Sequence, residues 1–336
     1  MLTPLHDAAG STRMIHLNGW KKQSPDERDH AFALKLHGIV SVPPSADNRN
    51  VCSPISDQGP LGACTAHMFA ALVESNEIRR LSQKKTRAKK SKTSESSGFA
   101  ADGSYSGTAY VEVSAPRVLE DGSLTATSKI VLPPGSFNAD LGLGATGLAP
   151  APSKIVRASR LFEYYGTRKI EGTVGEDSGA SIRDAIKCGA LYGVADEAQY
   201  AYDIAKFKAN PPAAVWKSAA TRKVTSYHAI ADGDVRTMKS VLASGYLIGF
   251  GFAVYDYMMS EQMAVCGVLN VPTKKEKLLG GHAVALVGYH TAKKLFLVRN
   301  SWGLGWGQNG YFWMSEAYVG NPRLSNDFWV VQSSPL

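Results

Sequence analysis

Between Tyr246 and Gln332 the chain carries five short apolar runs, at 246–254, 282–289, 295–300, 310–314 and 328–332. Turns rich in Gly and Asn part them, which is the signature of successive β-strands. Upstream the spacing is different. Met68, Phe69, Leu72, Val73, Ile78 and Leu81 recur along one stripe and predict a helix over 64–81. A second helical piece starts at 159–165. A third is predicted over 182–191, with Ser181 or Ser178 as its N-cap, and a short one over 238–244. Helices first and an antiparallel sheet afterwards, with no internal repeat, predict an α+β chain.

The composition, 44% apolar and 20% charged, is that of an ordinary globular protein with a sizeable core. Residues 1–50 are polar and read as an irregular N-terminal lead-in segment. Residues 51–336 read as one domain interrupted by an insertion at about 84–154. Within it, 84–98 is rich in Lys, Ser and Thr, 133–154 returns to Gly, Pro and Ala, and two β-like runs at 108–113 and 124–132 flank the turn signal Asp121-Gly122. The net charge of +8 is local. Arg79, Arg80, Lys84, Lys85, Arg87, Lys89, Lys90 and Lys92 follow one another without an acid, which leaves the rest of the chain near neutral. Such a run is either a solvated linker or a dock for an acidic partner. No aromatic residue interrupts it, so base stacking on nucleic acid is not expected.

Other classes are excluded more directly. No stretch of 18 apolar residues exists, so no membrane span is predicted. The first 20 residues lack an apolar core behind a basic start, so no secretory signal is read. Cys52, Cys64, Cys188 and Cys266 form no C-x-x-C pair. No zinc site, no other metal and no cofactor is expected, and a disulfide among these cysteines stays open.

Three features carry chemistry. Cys64 ends the flexible loop Gln58-Gly59-Pro60-Leu61-Gly62-Ala63 and opens the long helix. A helix N-terminus favours thiolate over thiol, and the small residues Gly62 and Ala63 admit a substrate backbone. His282 follows Gly280-Gly281 and starts an apolar strand, Ala283-Val284-Ala285-Leu286. Asn300 closes the next strand before Ser301-Trp302-Gly303-Leu304-Gly305-Trp306-Gly307. Its amide oxygen can fix the tautomer of an imidazole, and Trp302 can shield that bond from water. Taken singly, each feature has a plain packing explanation.

Together, and in this order, the three blocks resemble the papain-like cysteine peptidases. The form Asp57-Gln58-Gly59-Pro60-Leu61-Gly62-Ala63-Cys64-Thr65-Ala66 is most similar to bacterial and bacteriophage members, as are Leu161-Phe162-Glu163-Tyr164-Tyr165, Ile182-Arg183-Asp184, Gly19-Trp20 and the segment 43–49. About 218 residues separate Cys64 from His282. Without the roughly 70-residue insertion about 148 remain, inside the ~130–150 of such enzymes. The resemblance implies a mainly helical left lobe, an antiparallel β-sheet or barrel as right lobe, and an active site in the cleft between them. It implies Cys64 as nucleophile, His282 as its base and later general acid, Asn300 as the residue orienting His282, and Gln58 as oxyanion donor beside the Cys64 N–H. Gly62, Ala63, Ser178, Gly179, Ala180, Gly281, Ala283 and Trp302 are the implied substrate-binding positions. The partner is then a peptide or protein substrate, and the cytoplasm or a virus particle the expected location.

The sequence also departs from the family. Leu61 replaces a structural cysteine, Thr65 the usual Trp, and Ala180 the second glycine of a substrate-binding pair. Whether 1–50 covers the cleft is open from sequence. So is the pocket that sets specificity, for which Ala180, Ala283 and 255–263 are candidates. Two other readings stand beside the peptidase. One is a papain-like fold serving as a structural or binding component of a larger assembly, docked through the basic insertion. The other is the same chemistry turned on a peptidoglycan stem peptide.

Overall fold

A computed structural model describes residues 2–24, 26, 29, 42–93 and 155–336, with the side chains of 85–93 and 266 excepted. The chain divides into two compact units, Met1–Gln83 with Leu148–Leu336, and Lys84–Gly147. Of the second unit only the end of a helix lies among the described residues. The hairpin expected at 108–132 lies outside them.

Helix α1, Cys64–Thr93, runs well past the predicted end at 81. Lys, Arg, Gln and Ala propagate a helix well, so what reads as linker in 84–93 continues it instead. Helix α2, Arg160–Glu171, begins where Ser159 accepts the Phe162 N–H, and α3, Ile182–Leu191, where Ser181 accepts the Asp184 N–H. An ion cluster inside the protein ties α1 to the start of α2. Glu74 is fully buried and receives Arg160 at 3.0 Å, Arg157 at 2.9 Å and the Ala158 N–H at 2.9 Å. Burial alone would raise this carboxyl, but the two guanidiniums outweigh it and hold it below its ordinary value. Short helices α4, Ala213–Ala219, and α5, Val235–Ala243, complete the set used here.

Among the described residues ten strands run in chain order: β1 Leu2–His6, β2 Thr12–His16, β3 Ser45–Asp47, β4 Val224–Ile230, β5 Ile248–Tyr255, β6 Val268–Leu269, β7 Leu278–His290, β8 Leu295–Arg299, β9 Tyr311–Ser315 and β10 Ser325–Ser333. The main sheet has the order β4-β10-β5-β7-β8-β9-β6, with β3 on β7. Its pairings are antiparallel except β6 with β9. Among the described residues the edges β4 and β6 do not pair, so the sheet is open and the barrel that the resemblance allowed does not form. Its core holds Phe250, Phe252, Phe296, Trp302, Trp306 and Phe312. The helical part packs separate clusters around Leu161 with Tyr164, and around Phe162 with Val215. The fold is a mixed α+β arrangement, as the sequence order of helices and strands predicts.

The lead-in is not irregular, as its composition suggested. β1 and β2 form an antiparallel hairpin in which Leu5 pairs with Arg13. Asp7 accepts the N–H groups of Ala9 and Ser11 at 3.0 and 2.8 Å, and Gly10 turns at φ +81°. Leu5, Ile15 and Leu17 are buried in the core of the sheet. Three apolar side chains thus anchor a segment that reads as polar on average.

Candidate active site

The loop before α1 is stitched to the turn after β8. Gln58 N donates to Ser301 O at 2.9 Å, and Asp57 bridges to Trp302. Arg13 of the hairpin clasps both, bonding the Asp57 carboxylate and the Trp302 carbonyl. Behind the loop, Arg299 holds Ser53 O at 2.6 Å and Pro54 O at 2.8 Å. Asp177 accepts the Gly62 N–H at 3.0 Å. These contacts place Cys64 at the first turn of α1 and bring it to β7, where the Ala283 N–H donates to its Sγ at 3.4 Å.

His282, the neighbour of Ala283 on β7, bonds through Nε2 to Asn300 Oδ1 at 2.7 Å. Asn300 Oδ1 also accepts the Ser301 N–H at 2.8 Å, which fixes the amide's orientation. Nδ1 of His282 has no hydrogen-bond partner. With Nε2 facing an amide oxygen, Nε2 carries the proton and Nδ1 is free to accept one. Trp302 stacks on the imidazole with ring centres 4.7 Å apart, and Phe252 meets it edge-on at 5.9 Å. Gln58 is fully buried. Its Oε1 accepts from Ser301 Oγ at 2.7 Å, and its Nε2 donates to Leu61 O at 3.1 Å with a second hydrogen to spare.

Electrostatically the described form is not the thiolate that a helix tip favours. Burial pushes the Cys64 thiol up to about 12, against the N–H groups of Ala283, Thr65 and Cys64 itself. Burial likewise pushes His282 down to about 4, against its bond to Asn300. Both groups are therefore neutral here, because water is excluded from each.

The cover is the lead-in. Residues 17–21 run as an extended strap between the two walls of the cleft. The Gly281 N–H donates to Leu17 O at 2.9 Å, the Ala180 N–H to Gly19 O at 2.9 Å, and the Lys21 N–H to Ala180 O at 2.9 Å. Gly19 lies over the sulfur so closely that an added Cβ would stand 2.6 Å from Cys64 Sγ and 2.8 Å from Gly62 O. His16, at the end of β2, packs on Gly62, and burial lowers its pKa.

Ala283 thus meets the Cys64 sulfur, His282 stands beside Ala283 on β7 with Asn300 and Trp302 on its ring, Gln58, Gly62 and Ala63 lie in the loop that leads to Cys64, and Gly281 and Ala180 bind the strap. Gly179 turns at φ +66° and passes so close to Asn18 O that a Cβ would meet it at 2.3 Å. Ser178 does not reach the strap with its hydroxyl, which bonds Thr173 Oγ1 at 2.8 Å and Gly179 O at 2.9 Å. In 255–263, Met258, Met259 and Met263 belong to the core instead of lining the cleft. Sequence reasoning missed Arg13 and Asp177, which hold the loop before α1, and Gly251 and Asp327, which receive the Trp20 side chain of the strap: a Cβ at Gly251 would stand 2.0 Å from the indole, whose Nε1 donates to Asp327 Oδ2 at 3.0 Å. The one available sign was Gly251, because glycine inside a strand marks close approach by another group. Among the described residues no cluster of His, Cys, Asp and Glu is arranged to hold a metal, Cys52, Cys64 and Cys188 are free, and no helix is long and apolar enough to cross a membrane.

Comparison with known proteins points to one family. Residues 173–329 match the family model described as papain family cysteine protease. A peptidase C1-like protein of Acanthamoeba polyphaga mimivirus is 42% identical over 181 residues, which are 52% of this chain and 58% of that one. The match spans little more than half the length of that relative, and less of the other curated relatives, such as 38% of cysteine proteinase 3 from Dictyostelium discoideum. Among solved structures, xylellain, a cysteine protease from Xylella fastidiosa, is 29% identical with a TM-score of 0.63, covering 94% of this chain and 95% of its own. Family model, relatives and fold converge: residues 173–329 match the papain family, and the described chain has the papain-like fold.

Proposed function

We propose that the chain is a cysteine-type peptidase that hydrolyses peptide bonds through Cys64, His282 and Asn300, with Gln58 and the Cys64 N–H as oxyanion donors. One observation carries the reading: His282 is fixed by Asn300 at 2.7 Å while the adjacent Ala283 N–H holds Cys64 Sγ at 3.4 Å. With the cleft open to water, the proton moves from sulfur to Nδ1, giving a thiolate and an imidazolium. The thiolate attacks the substrate carbonyl carbon, and the oxygen takes the charge. His282 returns the proton to the leaving amine as the C–N bond breaks, leaving a thioester. Water, deprotonated by the same imidazole, attacks the thioester, and the C–S bond breaks to release the acid and restore the thiol. Asn300 keeps the imidazole in the tautomer that both transfers need. The strap makes the described form latent.

A peptide or protein is the substrate in this reading. The basic run Arg79–Lys92 is proposed as a dock for an acidic partner; of its residues, Arg80 pairs with Glu77 and Arg79 stacks 3.6 Å over Tyr246. A reducing compartment or a virus particle is the proposed setting, in keeping with the free Cys52, Cys64 and Cys188. The lead-in 1–50 and the insertion at about 84–154 are kept as proposed divisions of the chain.

The deciding test is cleavage of a denatured protein, and of cell-wall fragments in parallel, after the strap has been displaced. Cleavage of the protein that vanishes in Cys64→Ala supports the peptidase. Activity on cell-wall fragments alone would replace it with the stem-peptide reading, and protein cleavage surviving Cys64→Ala would remove Cys64 from the mechanism. In the same assay Gln58→Ala is expected to lower kcat by about 10²–10³, the usual cost of an oxyanion donor.

A further inference from the structure

Behind Asn300 lies a cavity of about 10 Å³, walled by α1, β7, the turn after β8 and Ser56. Two of the side chains that line it carry polar atoms with nothing to bind. His67 stands on α1, one turn beyond Cys64, and is 3% exposed, as is Asn300. Neither His67 Nε2 nor Asn300 Nδ2 has a hydrogen-bond partner among the described residues. Folded proteins pair nearly all buried polar atoms, through water where no protein group reaches. No residue of the lead-in lines this cavity, so it does not depend on the strap.

The other end of each side chain is already engaged. Asn300 Oδ1 takes His282 Nε2 at 2.7 Å and the Ser301 N–H at 2.8 Å, which leaves both hydrogens of Nδ2 to give. His67 Nδ1 stands 2.8 Å from Ser56 Oγ, and Tyr202 meets the same ring edge-on at 4.8 Å, which fixes its plane. Burial, and after it the guanidiniums of Arg160 and Arg299, hold His67 well below its ordinary value. The ring is therefore neutral and has one donor and one acceptor nitrogen. With Nδ1–H donating to Ser56 Oγ, Nε2 is the acceptor. A donor and an acceptor thus border a space that holds one water molecule and no more.

We propose that this cavity is a built site for a single water, which accepts from Asn300 Nδ2 and donates to His67 Nε2, and that His67 is thereby a positioning residue for Asn300. In its functional half the inference rests on the peptidase reading above. The two ends of an amide have nearly the same shape, so hydrogen bonds alone decide which end faces the imidazole. Turned over, Asn300 would set Nδ2 against the Nε2–H of His282, donor against donor. The imidazole proton would then move to Nδ1, and the sulfur's proton would find no acceptor. The bonds at Oδ1 hold one end of the amide. The water holds the other, and ties Asn300 to the same helix that opens with Cys64.

Diffraction and kinetics on the full chain test the two halves. Crystals of the parent chain are expected to show one water at ~2.7–3.2 Å from both Asn300 Nδ2 and His67 Nε2. His67→Leu, which lacks the ring nitrogens, loses it. With the strap displaced by Gly19→Val, His67→Leu is expected to lower kcat on a cleaved peptide about tenfold, the effect of leaving a buried polar group unpaired, with KM within about twofold. His67→Gln, whose amide oxygen keeps an acceptor on α1, restores most of that loss. Ala71→Val, on the cavity wall, fills the space and reproduces the loss with His67 intact, so the test stands even where His67→Leu fails to fold. A dry cavity in the parent crystal overturns the site. Equal losses in His67→Leu and His67→Gln, with none in Ala71→Val, show that the ring only packs and overturn the positioning role. An opened chain that holds the water yet cleaves no peptide upholds the site and refutes the peptidase reading instead.

Discussion

Gly19→Val is expected to raise the rate at which iodoacetamide alkylates Cys64 at pH 7 by about three orders of magnitude. In the covered form the thiol stands at about 12, so about one molecule in 10⁵ carries the thiolate at pH 7. A thiol at the ordinary value of ~8.5 carries a few per cent, and pairing with an imidazolium raises that further. The valine Cβ cannot share space with Sγ and Gly62 O, at 2.6 and 2.8 Å, and backbone cannot yield as a flexible side chain would. The strap must lift, taking its three backbone bonds with it. Met14→Val, on the exposed face of β2, serves as control and should leave the rate unchanged. Equal rates in the Gly19 variant and the parent chain would show that the strap does not govern access to the sulfur.

In that opened background, His282→Ala is expected to lower kcat/KM on a cleaved peptide by at least about 10⁴, as removal of a member of a nucleophile–base unit does. A loss of activity alone would not distinguish chemistry from packing, since Trp302 and Phe252 rest on this ring. The alkylation profile does. With His282 present, Cys64 should react well below pH 7, because the imidazolium stabilises the thiolate. In His282→Ala the midpoint should move up toward ~8.5, the value of an unassisted thiol. An unmoved midpoint would mean that the ring supports the fold and takes no part in charging the sulfur.

Local signals were legible wherever one residue type settles a local choice. Ser159 and Ser181 cap α2 and α3 because their hydroxyls satisfy N–H groups three residues on, and such caps are visible in sequence. Cys64 and Asn300 could be singled out because one opens α1 and the other follows the end of β8, and His282 because two glycines precede it, although β7 already begins at Leu278. Contacts between remote segments were not legible. Trp20 meets Asp327 across nearly the whole chain, and no periodicity encodes that pairing. The hairpin was hidden because only Leu5, Ile15 and Leu17 anchor it among polar neighbours. The continuation of α1 to Thr93 was hidden because lysine-rich composition serves a solvated helix as well as a linker. The open sheet depends on which edges fail to meet, a property of register that motif order does not carry.

The three bonds along 17–21 also bear on handling the protein. Once the strap departs, Gly281 and Ala180 are left with main-chain donors, and Ala180 with an acceptor, lining an exposed extended ledge. Bare ledges of this kind recruit any extended polypeptide, including another copy of the same molecule. The strap is therefore a solubility guard as well as a latch, and uncovered preparations should be kept dilute or supplied with a peptide to occupy the vacated groove.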